Sequence, residues 1–323
     1  MFTRTLGRSG IEVSAMGLGC WAIGGPFYRD GKPVGWGQVD DNESIRAIHR
    51  ALDLGVTFFD TADVYGCGHS ERILGQALAG RRDKVVIATK FGNVFDEATR
   101  QIIGADASPE YIRRACEASL RRLNTDYIDL YQFHIGNYDL EKAPEVRDAL
   151  EELVAKGKIR YYGWSTDDPE RARIFAEGPH CVAIQQRLNI FEGNEETLAV
   201  CERYNLASIN RGPLGMGLLT GKFTPDSTLP EDDVRRTRGW NFREGEVAER
   251  LKMLEKLRDI LTRDGRTLAQ AALGWLWARS EKTIPIPGFK TVQQVEENVG
   301  AMRFGPLSDE QMQAIQDLLS GSS

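Results

Sequence analysis

Short apolar runs recur along the chain, separated by stretches in which apolar residues return every third or fourth position. The runs are "MGLGCW", "VTFFDTA", "KVVIATK", "YIDLYQFH", "IRYYGWS", "CVAIQQRLNI", "LASINRG" and "TIPIPG". Each is rich in β-branched or aromatic residues and reads as a buried strand, whereas the helical spacing predicts helices over 41–54, 70–79, 109–123, 144–156, 169–177 and 194–204. Strand and helix alternating to a count of eight predicts a closed (β/α)8 TIM barrel, whose strands are covered by an outer ring of helices. A doubly wound open sheet also alternates strand and helix, but its nucleotide-binding form needs a GxGxxG turn opening a helix. Gly17, Gly19, Gly24 and Gly25 do not keep that spacing and lead into a polar loop over 30–40.

Ahead of the first barrel strand, two short strands about Arg8-Ser9-Gly10 predict a β-hairpin closing the barrel floor. Residues 221–246, rich in Pro, Asp and Arg, read as a long loop after the seventh strand, and loops of that length in compact domains are usually functional or disordered. Helices are expected over 247–262 and 267–278. No linker interrupts the pattern, so residues 1–323 are expected to form a single barrel domain.

Composition narrows the function. Hydrophobic residues at 41% and charged residues at 27% leave ample material for a core. A net charge of -6 without a Lys/Arg-rich run argues against nucleic acid as a partner. The N-terminus lacks the apolar core of a signal peptide and no stretch is long enough to span a bilayer, so a cytoplasmic protein with no membrane partner is expected. Five cysteines without CxxC spacing suit reduced thiols, and four scattered histidines give no metal-binding pattern. No signal bears on oligomeric state.

In barrels of this kind reactive groups sit where strands end. Asp60 ends the second strand, Lys90 the third and His134 the fourth, while Tyr65 sits in the loop after Asp60. Singly, each has an ordinary role as cap, solvated cation or packed ring; on successive strands they converge on one rim. Together they suit proton donation to a developing alkoxide. A nearby ammonium favours the phenolate, so Lys90 is expected to lower the Tyr65 phenol, with Asp60 as its counter-ion and His134 orienting a carbonyl.

At these residues the chain resembles the aldo-keto reductase superfamily. "FFDTADVYGCGHSERILGQAL" follows that family's Asp-Thr-Ala, Tyr-Gly, Ser-Glu, Leu-Gly pattern, with "IATKFG" and "YQFH" behind it. "GKIRYYGWS", "GPLGMGLLTGKF" and "IPIPGFKTVQQVEENVGA" extend the likeness over nearly the whole chain. The resemblance implies an NADPH-dependent oxidoreductase acting on a small carbonyl substrate, with Tyr65 as general acid/base and Asp60, Lys90 and His134 around it. It places Ser165 and Gln185 on the nicotinamide carboxamide. Gly212, Pro213, Leu214, Gly215, Gly217 and Leu218 would line the pyrophosphate. Gly288, Phe289, Lys290, Gln294, Glu297 and Asn298 would hold the adenosine and its 2'-phosphate, and Trp21 would face the substrate. Lys290 is the expected reader of the 2'-phosphate, while Gln294 stands where an arginine would add a second cation.

Thr166 replaces the asparagine of many relatives, and Arg211 stands where the family often carries an aromatic that stacks on the nicotinamide. Arg211 is therefore expected to stack by its guanidinium plane or to bind a phosphate or the substrate. The resemblance also admits a regulatory redox-sensing module like the potassium-channel β-subunits; an intact set of four residues argues for turnover. Cys20 and Cys67 fall near the rim and are either packed or open to alkylation.

Overall fold

In the computed structural model, which describes residues 2–321, eight parallel strands follow one another around a single sheet. They are Leu18–Gly19, Phe58–Asp60, Val86–Phe91, Ile128–Phe133, Ile159–Ser165, Cys181–Arg187, Ala207–Arg211 and Thr283–Pro285. Gly17 N donates to Pro285 O at 2.9 Å, Gly19 N donates to Pro287 O at 3.0 Å, and Gly19 pairs in parallel with Gly288. These contacts join the first strand to the last and close the barrel, as the alternating pattern predicts.

Helices Asp41–Asp53, His69–Ala77, Pro109–Leu123, Ala143–Ala155, Pro169–Ala176 and Glu195–Arg203 follow the first six strands. Their starts are written locally. Ser108 and Asp168 each accept a backbone N–H from the first turn and precede a proline, which lacks the N–H that would otherwise go unpaired there. Helix Leu268–Arg279 leads into the eighth strand, and Val292–Phe304 follows it.

The strand period of two decides what faces inward. Phe58, Ala88, Leu130, Ala183 and Ile209 fill the lower barrel, where Leu6 and Val13 of the hairpin Thr3–Thr5/Glu12–Ser14 plug its floor. Two residues further along the same faces come Asp60, Lys90, Gln132 and Gln185, all buried. The apolar lower layer thus supports a polar upper layer at the C-terminal mouth.

Two features depart from expectation. Strands Tyr28–Arg29, Lys32–Pro33, Asn93–Asp96 and Gln101–Ala105 form a separate four-stranded sheet from the loops after the first and third strands. The loop over 221–246 contains a single helical turn, Val234–Thr237, and its Asp233 bridges to Trp36. Among the described residues, no helix is long and apolar enough to cross a membrane.

Candidate active site

A cleft of about 1850 Å³ opens at the C-terminal mouth, larger than the few hundred to a thousand Å³ that suffice for one small ligand. Asp60, Tyr65 and His134 line it, and Lys90 lies beneath them. Lys90 Nζ donates to Asp60 Oδ1 at 2.5 Å, to Thr61 O at 2.8 Å and to the Tyr65 hydroxyl at 3.1 Å. All three ammonium hydrogens therefore have acceptors. The Asp60 carboxylate also accepts from Gln185 Nε2 at 2.9 Å and from Gln132 Nε2 at 3.3 Å.

Tyr65 is placed by backbone packing. A Cβ on Gly66 would lie 1.9 Å from Gly24 O, so the tyrosine loop rests directly on the loop after the first strand. Gly68 N donates to Asp63 O at 2.7 Å, closing that turn. Trp21 stacks on the phenol at 6.1 Å between centroids, and His134 meets it edge-on at 6.0 Å.

Burial draws the Lys90 ammonium down, but Asp60, the Tyr65 oxygen and its hydrogen bonds to both outweigh that and hold it above its ordinary range. Lys90 lowers the phenol as expected, but the net lowering is not met: burial pushes Tyr65 up by more than Lys90 draws it back, and Asp60 opposes Lys90. The phenol stays above its ordinary value and keeps its proton. For His134, burial and then the charges of Lys90, Arg211 and Arg29 hold the imidazole well below its usual range. The ring is neutral near pH 7. Its Nδ1 is shut off from solvent without a partner, which leaves Nε2 as the ring nitrogen available to a ligand in the cleft.

The remaining expected positions are distributed along the same cleft. Ser165, Gln185, Arg211, Gly212, Pro213, Leu214, Gly215, Gly217 and Leu218 line it, as do Gly288, Phe289, Lys290, Gln294, Glu297, Asn298 and Trp21. Gly212, with φ +63°, has open space where a Cβ would stand, so its backbone is bare to the cleft. Lys222 and Arg235 flank Gly217 nearby. A bare backbone turn beside two cations fits a pyrophosphate.

Several of these side chains already have partners within the protein. Gln185 directs its amide nitrogen at Asp60 and Gln132, leaving its oxygen for a cofactor amide. The Thr166 hydroxyl donates to Gly136 O at 2.8 Å. Arg211 pairs with Asp167 at 2.5 Å. Lys290 Nζ donates to Trp36 O at 2.5 Å and Gln38 O at 3.3 Å, clasping the loop after the first strand. Cys20 and Cys67 are both buried, and burial raises both thiols, Cys67 to about 12, so neither is a reactive thiolate.

Gln132, Asp167, Lys222 and Arg235 lie outside the positions to which the sequence points. Gln132 carried a signal, standing two residues before His134 on the same strand face.

The aldo/keto reductase family model matches residues 15–320. The chain belongs to the aldo/keto reductase family. It is 31% identical over 317 residues to the uncharacterised oxidoreductase YqkF of Bacillus subtilis, spanning 98% of this chain and 96% of that protein. It is 32% identical over 324 residues to the aldo-keto reductase yakc [NADP(+)] of Schizosaccharomyces pombe, spanning 98% and 90%. Among solved structures, a glycerol dehydrogenase of Gluconobacter oxydans superposes with a TM-score of 0.85 at 34% identity, covering 98% of this chain and 95% of that one. The holo form of an aldo-keto reductase from Bacillus halodurans superposes with a TM-score of 0.80 at 33% identity, covering 98% and 96%. Membership makes this aldo/keto reductase an oxidoreductase.

Proposed function

We propose that this aldo/keto reductase interconverts aldehydes or ketones and their alcohols with NADP(H), Tyr65 acting as general acid in reduction and general base in oxidation. The observation that carries the reading is the buried Lys90 ammonium joining Asp60 to the Tyr65 hydroxyl, with a neutral imidazole beside it. When bound, the nicotinamide supplies or accepts the hydride. Ser165 and the Gln185 oxygen would hold its carboxamide, the backbone over 212–218 with Lys222 and Arg235 its pyrophosphate, and Gly288, Phe289, Lys290, Gln294, Glu297 and Asn298 the adenosine.

The protein's own part is positioning and proton transfer. Lys90 fixes the direction of the phenol oxygen, and Asp60 keeps Lys90 charged. His134 Nε2–H donates to the substrate carbonyl oxygen and aims it at Tyr65, whose proton neutralises the developing alkoxide. Trp21 stacks on the Tyr65 ring and lines the cleft with it. The names of the fission-yeast and Gluconobacter relatives favour NADP and an alcohol–carbonyl pair. Five unpaired cysteines suit a reducing compartment such as the cytoplasm.

The test is turnover of a panel of aldehydes and ketones with NADPH and NADH, in the parent and in Tyr65→Phe. Oxidation of either cofactor that depends on both a carbonyl compound and the Tyr65 hydroxyl supports the reading. Absence of carbonyl-dependent turnover across the panel, or turnover indifferent to Tyr65, removes it.

A further inference from the structure

The wall of the cleft beyond Trp21 gathers three arginines, one of them without a carboxylate partner among the described residues. Arg187 ends the sixth strand, Arg211 the seventh, and Arg238 follows the helical turn in the loop over 221–246; all three line the cleft with Tyr65 and His134. Two have partners: Arg211 pairs with Asp167 at 2.5 Å, and Arg187 meets Glu192 at 3.5 Å. Glu192 is shared with Arg250 at 3.2 Å, and Arg250 also pairs with Glu246 at 2.5 Å. The Arg238 guanidinium has no carboxylate partner among the described residues and lies 5.8 Å from the Trp21 ring centroid. Trp21 in turn stacks on Tyr65, so this cation stands one ring beyond the wall of the reaction site.

Asp167 and Glu192 offset two of the three guanidinium groups, and the third, Arg238, would gain from an anion drawn into the cleft. Burial, and after it the charges of Arg187 and Arg211, draw Arg238 below its ordinary range, with Glu192 opposing them. The cations suited to cofactor phosphates are a separate group: Lys222 and Arg235 flank Gly217, and Lys290 clasps the loop at Trp36.

We propose that the physiological substrate is a short-chain carbonyl compound bearing an anionic group, carboxylate or phosphate, which Arg238 binds with Arg211 and Arg187 while the carbonyl lies between Tyr65 and His134. This rests on the reading of the site as a carbonyl-reducing one. A carboxylate or phosphate fits the forked donors of arginine, and a loop-borne arginine can follow the ligand as it settles.

The experiment compares kcat/KM, at saturating NADPH, for matched pairs: 4-oxobutanoate against butanal, and glycolaldehyde phosphate against glycolaldehyde. The parent is expected to prefer the anionic member of at least one pair, and the pair that responds tells carboxylate from phosphate. Arg238→Gln should reduce that preference by roughly 10- to 150-fold, the worth of a charge-assisted hydrogen bond. Arg238→Lys should retain part of it. NADPH KM should stay unchanged in both variants. No preference in the parent, an unchanged preference in Arg238→Gln, or a parallel rise in NADPH KM each overturns the proposal, the last because the cation would then serve the cofactor. If the parent reduces no carbonyl compound, the underlying reading fails, and the anion site is judged by calorimetry with succinate and glycolaldehyde phosphate on the full chain. Binding of either by the parent, weakened at least about 10-fold in Arg238→Gln, keeps the site; no binding of either removes it.

Discussion

Lys90 Nζ lies 2.5 Å from Asp60 Oδ1, with both side chains sealed from water beneath the Tyr65 ring. Desolvating two charges is costly, and the pair is tolerable only because Thr61 O, the Tyr65 hydroxyl, Gln132 and Gln185 satisfy what remains. Lys90→Met leaves the buried carboxylate uncompensated and is expected to cost about 3–5 kcal/mol of stability along with turnover. Adding Asp60→Asn should restore most of the stability and none of the activity. Urea denaturation and kcat on the two variants check this. A double variant as unstable as the single one would show that the unpaired charge is not the cause, and one that turns over normally would show that Lys90 is not needed.

Tyr65→Phe removes one oxygen from a ring held by Trp21 and His134, so folding and cofactor binding should persist. A positioned general acid contributes roughly 10² to 10⁴ in rate, which is the expected loss in kcat. The parent's pH profile follows from the direction of the phenol's shift. With its pKa raised above the ordinary value of about 10, Tyr65 stays protonated through the neutral and mildly basic range. Reductive kcat/KM should therefore hold level from pH 7 to about pH 9.5 and fall only as the phenol ionises. A decline that sets in near pH 8 would contradict the direction of this shift.

The barrel was legible because buried parallel strands are near-continuous apolar runs, and those runs end in polar residues at the rim. Asp60, Lys90 and His134 could be found that way. The small sheet at the mouth could not: "NVFDEATRQIIGA" mixes charge with apolar residues, and its pairing to Tyr28–Arg29 joins segments about 70 positions apart, as Tyr28 with Gln101. Gln132 was concealed inside an apolar run, and Arg238 inside the "RRTR" of a loop. The net direction of the Tyr65 shift is not legible in the sequence for a physical reason. Sequence displays the partner charge, Lys90, but not the burial that outweighs it.

Behind the tyrosine loop, Asp63 is buried with Oδ1 unpartnered, beside Glu71, which accepts from Arg122 Nε and Thr89 Oγ1, both at 2.6 Å. Burial, then the charge of Glu71, raise the Asp63 carboxyl well above its ordinary range, although Arg122, the Val64 amide and Lys90 oppose them. A carboxyl raised on folding binds its proton more tightly in the folded state. Its contribution is therefore full below the unfolded pKa of about 4 and is lost as pH rises toward the folded value. Asp63→Asn mimics the neutral acid and has no proton to lose. Relative to the parent, it should gain stability from about pH 4 upward, by at most about 1.4 kcal/mol per pH unit. Denaturation midpoints at a series of pH values decide; parallel curves for parent and variant would mean that Asp63 does not titrate differently on folding.

Cofactor choice is expected to turn on a carboxylate at the start of the helix that follows the eighth strand. Thr291 caps Val292–Phe304, and the Val292 N–H, where an anion would be favoured, donates to Glu43 Oε1 at 2.9 Å. The bond to Val292 and the pairing with Arg46 hold Glu43 below its ordinary range, so it is charged near pH 7. Lys290 stands beside it with its ammonium on Trp36 O and Gln38 O. A 2'-phosphate at this end would gain Lys290 but meet the negative charge of Glu43 and compete for the same N–H, whereas a 2'-hydroxyl could donate to that carboxylate. NADPH preference is therefore expected to be moderate, set by two opposed charges. Glu43→Gln should raise the NADPH over NADH ratio of kcat/KM, and Lys290→Ala should lower it by roughly 10- to 150-fold if its bond to the phosphate is charge-assisted. The two substitutions change the ratio in opposite directions, so loss of folding cannot mimic both. If Glu43→Gln leaves the ratio unchanged while Lys290→Ala lowers it, the phosphate is read by Lys290 away from the helix start. If neither moves it, cofactor choice lies elsewhere in the cleft.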